Sequence, residues 1–385
     1  MMASVLVAMS GGVDSAVAAA RLVEAGHDVT GVHLKLADLP QTEQVPGHGC
    51  CTLDDAQDAR RAAQVLDIPF YVWDMTDTFV REVQAPFAAA YAAGTTPNPC
   101  VTCNERVKYA ALLDRARQLG FDALATGHHA RLRRRGRPVV APGAGVTLHR
   151  AADAAKDQSY VLYMASADQL AHTLLPVGEL TKDAVRASAA ALGLRVADKP
   201  DSYDVCFIPD GDTAGYLASR VPPRPGPVVD VDGTVVGTHD GVWRYTVGQR
   251  RGLGELAPSS RTADSGRPER RFVVDLDADD ARVVVGPRDE LACQWLEIAA
   301  PVWTTDTPPS GAVRVQVRAH GRSVPAEVHV DGTSARLELA EPVHGVAIGQ
   351  SAVVYDASDD QCLGGGRVQR AQRPASLPVA GGARR

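Results

Sequence analysis

Short apolar runs alternate with amphipathic segments through the first half of the chain. Residues 5–9 form an apolar run typical of a buried parallel strand, and residues 16–25 have the pattern of a helix that Gly26 ends. The same alternation predicts strands over 29–34, 70–73 and 122–126 and helices over 54–66, 77–93 and 105–119. This β-α-β-α-β order predicts an α/β fold with a doubly wound parallel sheet, in which ligands bind beyond the carboxyl ends of the strands.

The pattern changes after about residue 208. Four prolines within residues 221–227 indicate a linker or an irregular edge. Beyond them, residues 313–318 and 335–339 alternate strictly between apolar and polar, and 350–355 and 366–368 continue the short strands. The second half therefore predicts a small β-barrel or sandwich, and the last residues, 374–385, read as a disordered tail.

Composition narrows the class of protein. The chain has 385 residues, a formal net charge of −6 and seven cysteines. No apolar run approaches the length of a membrane span, and the first strand leaves no room for a signal peptide, so we expect a cytoplasmic protein with no membrane partner. Reduced cysteines in an odd number favour packing, catalytic or metal-binding roles over a disulfide framework.

The turn after the first strand carries the strongest chemical signal, Ser10-Gly11-Gly12-Val13-Asp14-Ser15. Two glycines let the backbone approach a phosphate, and the N-terminus of the following helix offers unpaired N–H groups to the anion. The Gly-Lys-Ser/Thr ending of a Walker A loop is missing. All six residues from Ser10 to Ser15 fit the pattern SGGxDS of a pyrophosphate loop, and at a strand-to-helix junction this favours a nucleotide site over an ordinary glycine turn.

Two cysteine segments are the next candidates for chemistry. Cys103 lies just before the helix predicted to start near residue 105, and a thiol near a helix N-terminus has a lowered pKa, so it is well placed as a nucleophile. Cys206 lies in a second such segment, 201–209. The alternatives are buried packing cysteines or a zinc site, but the Cys100–Cys103 pair lacks a second pair of ligands. We assign a structural role to the remaining cysteines, Cys50, Cys51, Cys293 and Cys362.

Ordered motifs along nearly the whole chain resemble the bacterial tRNA-specific 2-thiouridylases, the MnmA family. The matching segments are residues 9–15, Thr96-Pro97-Asn98-Pro99, Ala125-Thr126-Gly127-His128, Lys156-Asp157-Gln158-Ser159-Tyr160, Phe207-Ile208, residues 246–253 and 362–366. The resemblance implies an adenine-nucleotide alpha hydrolase-like catalytic domain with a pyrophosphate loop over 1–208. It also implies a central tRNA-contacting domain over 209–289 and a C-terminal β-barrel over 290–373.

The family's reaction replaces O2 of the wobble uridine (position 34) with sulfur in the tRNAs for Glu, Gln and Lys. ATP adenylates the carbonyl oxygen, a sulfur nucleophile attacks C2, and AMP leaves. The resemblance therefore implies a sulfurtransferase that uses ATP and Mg²⁺, with tRNA and a cysteine desulfurase or sulfur relay protein as partners. The target uridine has to leave the anticodon stack to react.

The resemblance also implies site residues. Cys206 is the expected persulfide carrier, and Cys103 is the expected nucleophile that releases the sulfur and can form a disulfide with Cys206. Asp14 is a candidate ligand for Mg²⁺. The expected ATP-binding residues are Ala8, Met9, Ser10, Gly11, Gly12, Val13, Asp14, Ser15, Leu34 and Gly127. The expected contacts to the target base and tRNA are Asn98, Pro99, Cys100, His128, Lys156, Asp157, Gln158 and Gln350.

This chain departs from the family at three places. Leu34 stands where Met is frequent, Cys100 stands where some members have Asp, and His320-Gly321 replaces a basic-aromatic pair. With Asp at position 100 replaced, a proton-transfer role there is in doubt. Cys100, Cys103 and Cys206 could instead hold a [4Fe–4S] cluster, although we favour the route without a metal because three thiolates are one short of a full set.

Other interpretations remain open at this point. A different pyrophosphate-loop synthetase acting on a small molecule, such as an argininosuccinate, GMP or NAD synthetase, would lack the two cysteine segments and the barrel. A non-catalytic RNA-binding protein would not need an intact Ser10–Ser15 turn, and a zinc-dependent base deaminase would need a complete His-x-Glu and Pro-Cys-x-x-Cys pair. The five arginines within 131–137 suit phosphate contacts or a solvated surface turn, and residues 244–271 are also rich in arginine.

Overall fold

The computed structural model describes residues 2–37, 53–200, 205–257 and 270–372. The helices α1 to α9 span Val13–Glu24, Leu53–Val65, Thr76–Phe79, Ala85–Ala92, Pro99–Cys103, Leu113–Gln118, Ala167–Ala171, Lys182–Ala191 and Thr213–Ala218. The wider π-helical segments Val80–Gln84 and Asn104–Leu112 join α3 to α4 and α5 to α6. The strands β1 to β18 span Ser4–Ala8, Asp28–Lys35, Phe70–Asp74, Ala123–Thr126, Arg131–Arg134, Arg137–Pro138, Val146–His149, Thr173–Leu174, Gly226–Asp230, Val235–His239, Phe272–Asp277, Arg282–Gly286, Ala292–Trp303, Gly311–Gln316, Val324–Asp331, Ser334–His344, Ser351–Tyr355 and Gln361–Ala371.

The first sheet has the strand order β3-β2-β1-β4-β8, and all of its neighbours are parallel. Alternate residues of β1 enter different cores: Leu6 packs on one face of the sheet, Val5 and Val7 on the other. Both faces are covered, which explains why β1 reads as a continuous apolar run. The chain reverses its direction of winding between β1 and β4, so the carboxyl ends of these two strands form the expected ligand crevice. The predicted doubly wound sheet is confirmed.

The helix placed at 105–119 begins earlier than the sequence pattern predicts. The Asn98 side-chain oxygen accepts hydrogen bonds from the backbone N–H groups of Cys100 and Val101, at 3.0 and 3.2 Å, and thereby caps α5. Pro99 suits the first helical position because no N–H is needed there. Cys103 therefore lies beyond the first turn, and its predicted place at the helix N-terminus is wrong. Cys100, not Cys103, lies in the first turn of α5.

Two further sheets follow in the second half. The central sheet has the order β10-β9-β12-β11 and packs around Val228, Val273 and Val283. The last six strands form a barrel with the order β13-β16-β15-β14-β17-β18, which a β13–β18 pairing closes. The predicted C-terminal β-barrel is confirmed.

The barrel and the first domain share one continuous sheet. Strand β18 pairs with β7, with Cys362 opposite Leu148, so the hairpin β5–β6–β7 of the first domain extends the barrel. Tyr355 and Cys362 of the barrel are fully buried in the same core as Leu148. The sequence pattern did not predict this hairpin, because its strands are short and rich in arginine.

The remaining structural predictions have different outcomes. Cys293 and Cys362 are buried at 2% and 0% exposure, as expected of packing cysteines. Cys50, Cys51 and the predicted tail over 374–385 lie outside the described residues, as does most of the segment before Cys206. Within the described ranges, none of the helices has the length and apolar character needed to cross a membrane.

Candidate functional site

A cavity of about 490 Å³ opens at the carboxyl ends of β1, β2 and β4. One wall is apolar and includes Met9, Val32 and Leu34, with the side chains of Val32 and Leu34 at 0% and 8% exposure. Four lysines, Lys108, Lys156, Lys182 and Lys199, also line the cavity. A lining that combines apolar side chains with cations suits a ligand that has a flat ring and phosphates.

The turn between β1 and α1 forms the floor of this cavity and depends on two glycines. Gly11 has φ +82°, and an added Cβ there would overlap the backbone of Asp55. At Gly127, which follows β4, an added Cβ would lie 2.5 Å from the backbone nitrogen of Ser15. The end of β4 therefore meets the start of α1 with no space for a side chain between them, which keeps the backbone open to a ligand.

Asp14 is held by two basic side chains from distant parts of the chain. Lys182 Nζ donates to both carboxylate oxygens at 2.8 Å, and His129 Nε2 lies 3.0 Å from Oδ1. Burial alone would raise the pKa of Asp14, but the hydrogen bonds from His129 and Lys182 outweigh it and leave the pKa below its ordinary value. The carboxylate is therefore ionised at neutral pH, which is the form that binds a cation.

Lys199 ties the glycine turn to α2. Its ammonium group donates to Asp55 at 2.7 Å, to Asp58 at 2.9 Å and to the backbone oxygen of Gly11 at 3.0 Å. Burial acts to lower the pKa of Lys199, yet the two carboxylates raise it above the ordinary value. A charged lysine thus stands directly beside the turn that the sequence identified as a phosphate site.

His128 contributes a neutral imidazole to the cavity wall. Burial lowers its pKa well below the ordinary value of 6.5, and the positive charges of Lys108 and His129 lower it further. The Lys108 ammonium can only donate, and it lies 3.4 Å from Nε2, so the other ring nitrogen carries the proton and donates to Thr126 Oγ1 at 2.7 Å.

The residues predicted to bind ATP and tRNA fall into two groups. All of the predicted ATP-binding residues except Gly11, which lies just behind the surface, line the cavity. His128, Lys156, Asp157 and Gln158, predicted as tRNA contacts, line the same cavity. His320 is the barrel's contribution to the wall.

The second group lies at the start of α5, outside the described lining of the cavity. Asn98, Pro99 and Cys100 form the first turn of the helix. The barrel approaches this point, since the Thr96 N–H donates to the Ile348 oxygen at 2.8 Å, two residues before Gln350. The chain segments that carry the predicted base contacts and Gln350 are therefore joined by a hydrogen bond.

Cys103 and Cys206 pack into one hydrophobic core, Cys103 buried and Cys206 half-buried. The structure has no disulfide among the cysteines that it describes, Cys100, Cys103, Cys206, Cys293 and Cys362. In the described part of the chain, no three His, Cys, Asp or Glu side chains gather to hold a metal ion, and this includes Cys100, Cys103 and Cys206. The donor set for a cluster is therefore not assembled in this arrangement.

Most arginine side chains of the hairpin bind other groups within the protein. Arg131 binds Asp360 of the barrel, Arg133 binds Glu179, and Arg134 donates to the backbone oxygens of Ala141 and Gly143. Of the five arginines, Arg135 and Arg137 are exposed. The hairpin thus serves mainly to join the first domain to the barrel.

The sequence reasoning missed five titratable residues of the cavity: Asp55, Lys108, His129, Lys182 and Lys199. No local pattern marks them, because they come from five separate segments that only the folded sheet brings together. The one available signal was position, since His129 directly follows the Thr126-Gly127-His128 motif at the end of β4.

Comparison with known proteins places these features in a family. Three family models match consecutive parts of the chain: a tRNA methyl transferase HUP domain over residues 3–210, a tRNA methyl transferase PRC-barrel domain over 214–287 and an aminomethyltransferase beta-barrel domain over 293–368. The α/β domain, the central sheet and the closed barrel correspond to them in that order.

Relatives similar over nearly their full length carry one name. The tRNA-specific 2-thiouridylase MnmA of Acidothermus cellulolyticus is 52% identical over 96% of this chain and 99% of its own. The proteins of the same name from Salinispora tropica and Kineococcus radiotolerans are 54% and 55% identical, over 94% and 91% of this chain and 97% and 94% of theirs.

Proposed function

The chain belongs to the tRNA-specific 2-thiouridylase (MnmA) family, a family of sulfurtransferases, and from this we propose that it uses ATP to replace O2 of uridine 34 with sulfur in the tRNAs for Glu, Gln and Lys. Because the substrate is tRNA, we place the activity in the cytoplasm. The observation that carries the proposal is the single cavity where the Ser10–Ser15 turn, the four lysines and the Lys156–Gln158 segment meet.

ATP is the co-substrate that this cavity suits. The adenine ring would lie against Met9, Val32 and Leu34, and the phosphates would meet the N-terminus of α1 with Lys182 and Lys199 nearby. Replacement of a carbonyl oxygen by sulfur needs a better leaving group than oxide. We propose that attack of the uridine oxygen on the α-phosphorus forms an adenylated intermediate and expels pyrophosphate, whose charge the lysines stabilise.

Asp14 fits the role of a Mg²⁺ ligand. Its carboxylate is ionised and lines the cavity, and its side chain is 30% exposed, so it could help to hold a hydrated ion there. When bound, the ion would neutralise phosphate charge. The contribution of this chain's own residues is to hold Asp14 in its charged form through Lys182 and His129.

We assign sulfur transfer to two cysteines, Cys103 and Cys206. We propose that a cysteine desulfurase or relay protein loads a persulfide on Cys206. Cys103 then attacks Sγ of Cys206, so that the S–S bond of the persulfide breaks, the Cys103–Cys206 disulfide forms and the outer sulfur leaves as hydrosulfide, which displaces AMP from C2 of the uracil. Asn98, Pro99 and Cys100 would surround the base. The support for this pairing is the family to which the chain belongs.

Mass spectrometry of nucleosides tests the proposal. Unmodified tRNA for Glu is incubated with the protein, ATP, Mg²⁺ and a cysteine desulfurase with cysteine, and digested to nucleosides. We expect 2-thiouridine, and none when ATP is omitted. In a parallel reaction that also contains a methyl donor, S-adenosylmethionine, a methylated nucleoside without any thiolated product would instead favour the methyl transfer that the names of the family models suggest. A rate of ATP turnover that is the same with and without tRNA would favour a synthetase for a small molecule.

A further inference from the structure

Arg150, which directly follows β7, joins the barrel to the first domain through all sides of its guanidinium. Nη1 donates to Asp157 Oδ2 and Nη2 to Asp359 Oδ1, both at 2.8 Å, and Nε donates to the backbone oxygen of Asp359 at 2.8 Å. The group also stacks 3.7 Å from the ring centre of Tyr355. Asp359 and Tyr355 belong to the barrel, whereas Asp157 belongs to the segment that lines the cavity.

Both carboxylate oxygens of Asp157 accept hydrogen bonds from other groups of the protein. Oδ1 accepts hydrogen bonds from the backbone N–H groups of Ala151 and Ser159, at 2.9 and 3.1 Å, and Oδ2 accepts from Ser159 Oγ at 2.9 Å as well as from Arg150. The side chain is 9% exposed. These bonds determine the shape of the segment on both sides of Asp157, where Lys156 and Gln158 face the cavity.

Gln158 continues the connection to the glycine turn. Its backbone N–H donates to the oxygen of His129 at 2.7 Å, and its side-chain oxygen accepts from the N–H of His129 at 2.8 Å. His129 Nε2 then lies 3.0 Å from Asp14 Oδ1. A continuous chain of contacts thus leads from Asp359 of the barrel through Arg150, Asp157, Gln158 and His129 to Asp14.

We propose that Arg150 is a positioning residue for the nucleotide reaction, which holds segment 155–158 against the cavity and makes its position depend on Asp359 of the barrel. This inference rests on the proposed function, since it concerns the same cavity. A planar fork suits the task because it binds two carboxylates and an aromatic ring at once. Removing the guanidinium leaves Asp157 buried and short of a partner, so the segment has to rearrange.

The test compares Arg150→Gln with a matched control, Arg336→Gln. Arg336 also stacks on an aromatic ring, 4.2 Å from Trp295, and also binds two carboxylates, Glu297 and Glu338, but all of these lie in the barrel away from the cavity. The readout is tRNA-dependent pyrophosphate release as a function of ATP concentration. We expect the KM for ATP to rise about tenfold in Arg150→Gln and to stay within about twofold in the control.

Asp359→Asn separates positioning from simple loss of stability. It leaves Arg150 paired with Asp157 and alters no residue of the cavity, yet we expect it to raise the KM for ATP in the same direction. The double variant with Arg150→Gln should be no worse than Arg150→Gln alone, because both changes break one connection. Arg150→Lys should fall between, since one ammonium cannot bind both carboxylates as the fork does.

An unchanged KM for ATP in Arg150→Gln and Asp359→Asn, with only a lower melting temperature, would show that Arg150 is merely structural and would overturn the inference. If Arg150→Gln does not fold, the KM of Asp359→Asn decides alone. A wild-type protein that releases no pyrophosphate would contradict the proposed function instead. The Kd for ATP of the wild type and of Asp359→Asn would then still test the inference, with equal values overturning it.

Discussion

Replacing Gly127 by alanine should disable the nucleotide cavity through a steric effect. The added Cβ would lie 2.5 Å from the Ser15 nitrogen and 2.7 Å from the Asp14 carbonyl carbon, whereas ordinary contact begins at 3.4 Å. Neither neighbour is a flexible side-chain end, so β4 and the start of α1 have to separate by about 0.9 Å. A misplacement of about 1 Å at a reacting group costs up to about 100-fold in rate, or about 2.7 kcal/mol. Overpacking should also lower the free energy of unfolding by about 1–3 kcal/mol.

The assay is the Kd for ATP by isothermal titration calorimetry, together with pyrophosphate release and thermal unfolding. The matched control is Gly226→Ala in the central sheet, where an added Cβ would overlap the backbone oxygen of Ala281. We expect both variants to lose stability, but only Gly127→Ala to lose ATP binding. A wild-type Kd and rate in Gly127→Ala would refute the argument that the close approach of Gly127 to the start of α1 shapes the proposed phosphate site.

Three further predictions concern the charges and thiols. Asp14→Asn should abolish pyrophosphate release. Because the pKa of Asp14 is lowered in the folded protein, the ionic contribution of this carboxylate to stability is present above about pH 4 and is lost as the pH falls through the folded-state pKa. The urea unfolding curves of the variant and the wild type should therefore converge in acid. Cys206→Ser should lose both the protein persulfide and thiolation, while Cys103→Ser should accumulate persulfide on Cys206 by intact-protein mass spectrometry; wild-type thiolation in either would show that this cysteine is structural. Anaerobically purified protein should be fully active without iron, whereas about four irons per chain, lost together with activity in Cys100→Ala, would contradict the metal-free route.

The local elements of the fold could be predicted because each has its own pattern. The apolar run at 5–9 and the alternation at 313–318 are strands because their burial repeats with the period of the element. The start of α5 was misplaced because Asn98 and Pro99 act through capping geometry, which apolar periodicity does not register. The sequence pattern does not predict hairpin β5–β7, because its strands are short and rich in arginine and because two of its polar side chains, Arg131 and His149, pair with Asp360 of the barrel, more than 200 residues away in sequence.

The sequence by itself determined the class of sheet, the barrel and the family resemblance, and it predicts the glycine turn as a phosphate site and the two reactive cysteines. The patterns behind these features lie within a few consecutive residues, where the geometry of the backbone allows few conformations. Only the tertiary structure decided which lysines face the turn, that Asp14 pairs with Lys182 and His129, and that Arg150 binds two domains together. Such contacts join segments that are far apart in the chain, and an ion pair is set by distance in space, for which spacing along the sequence carries no information.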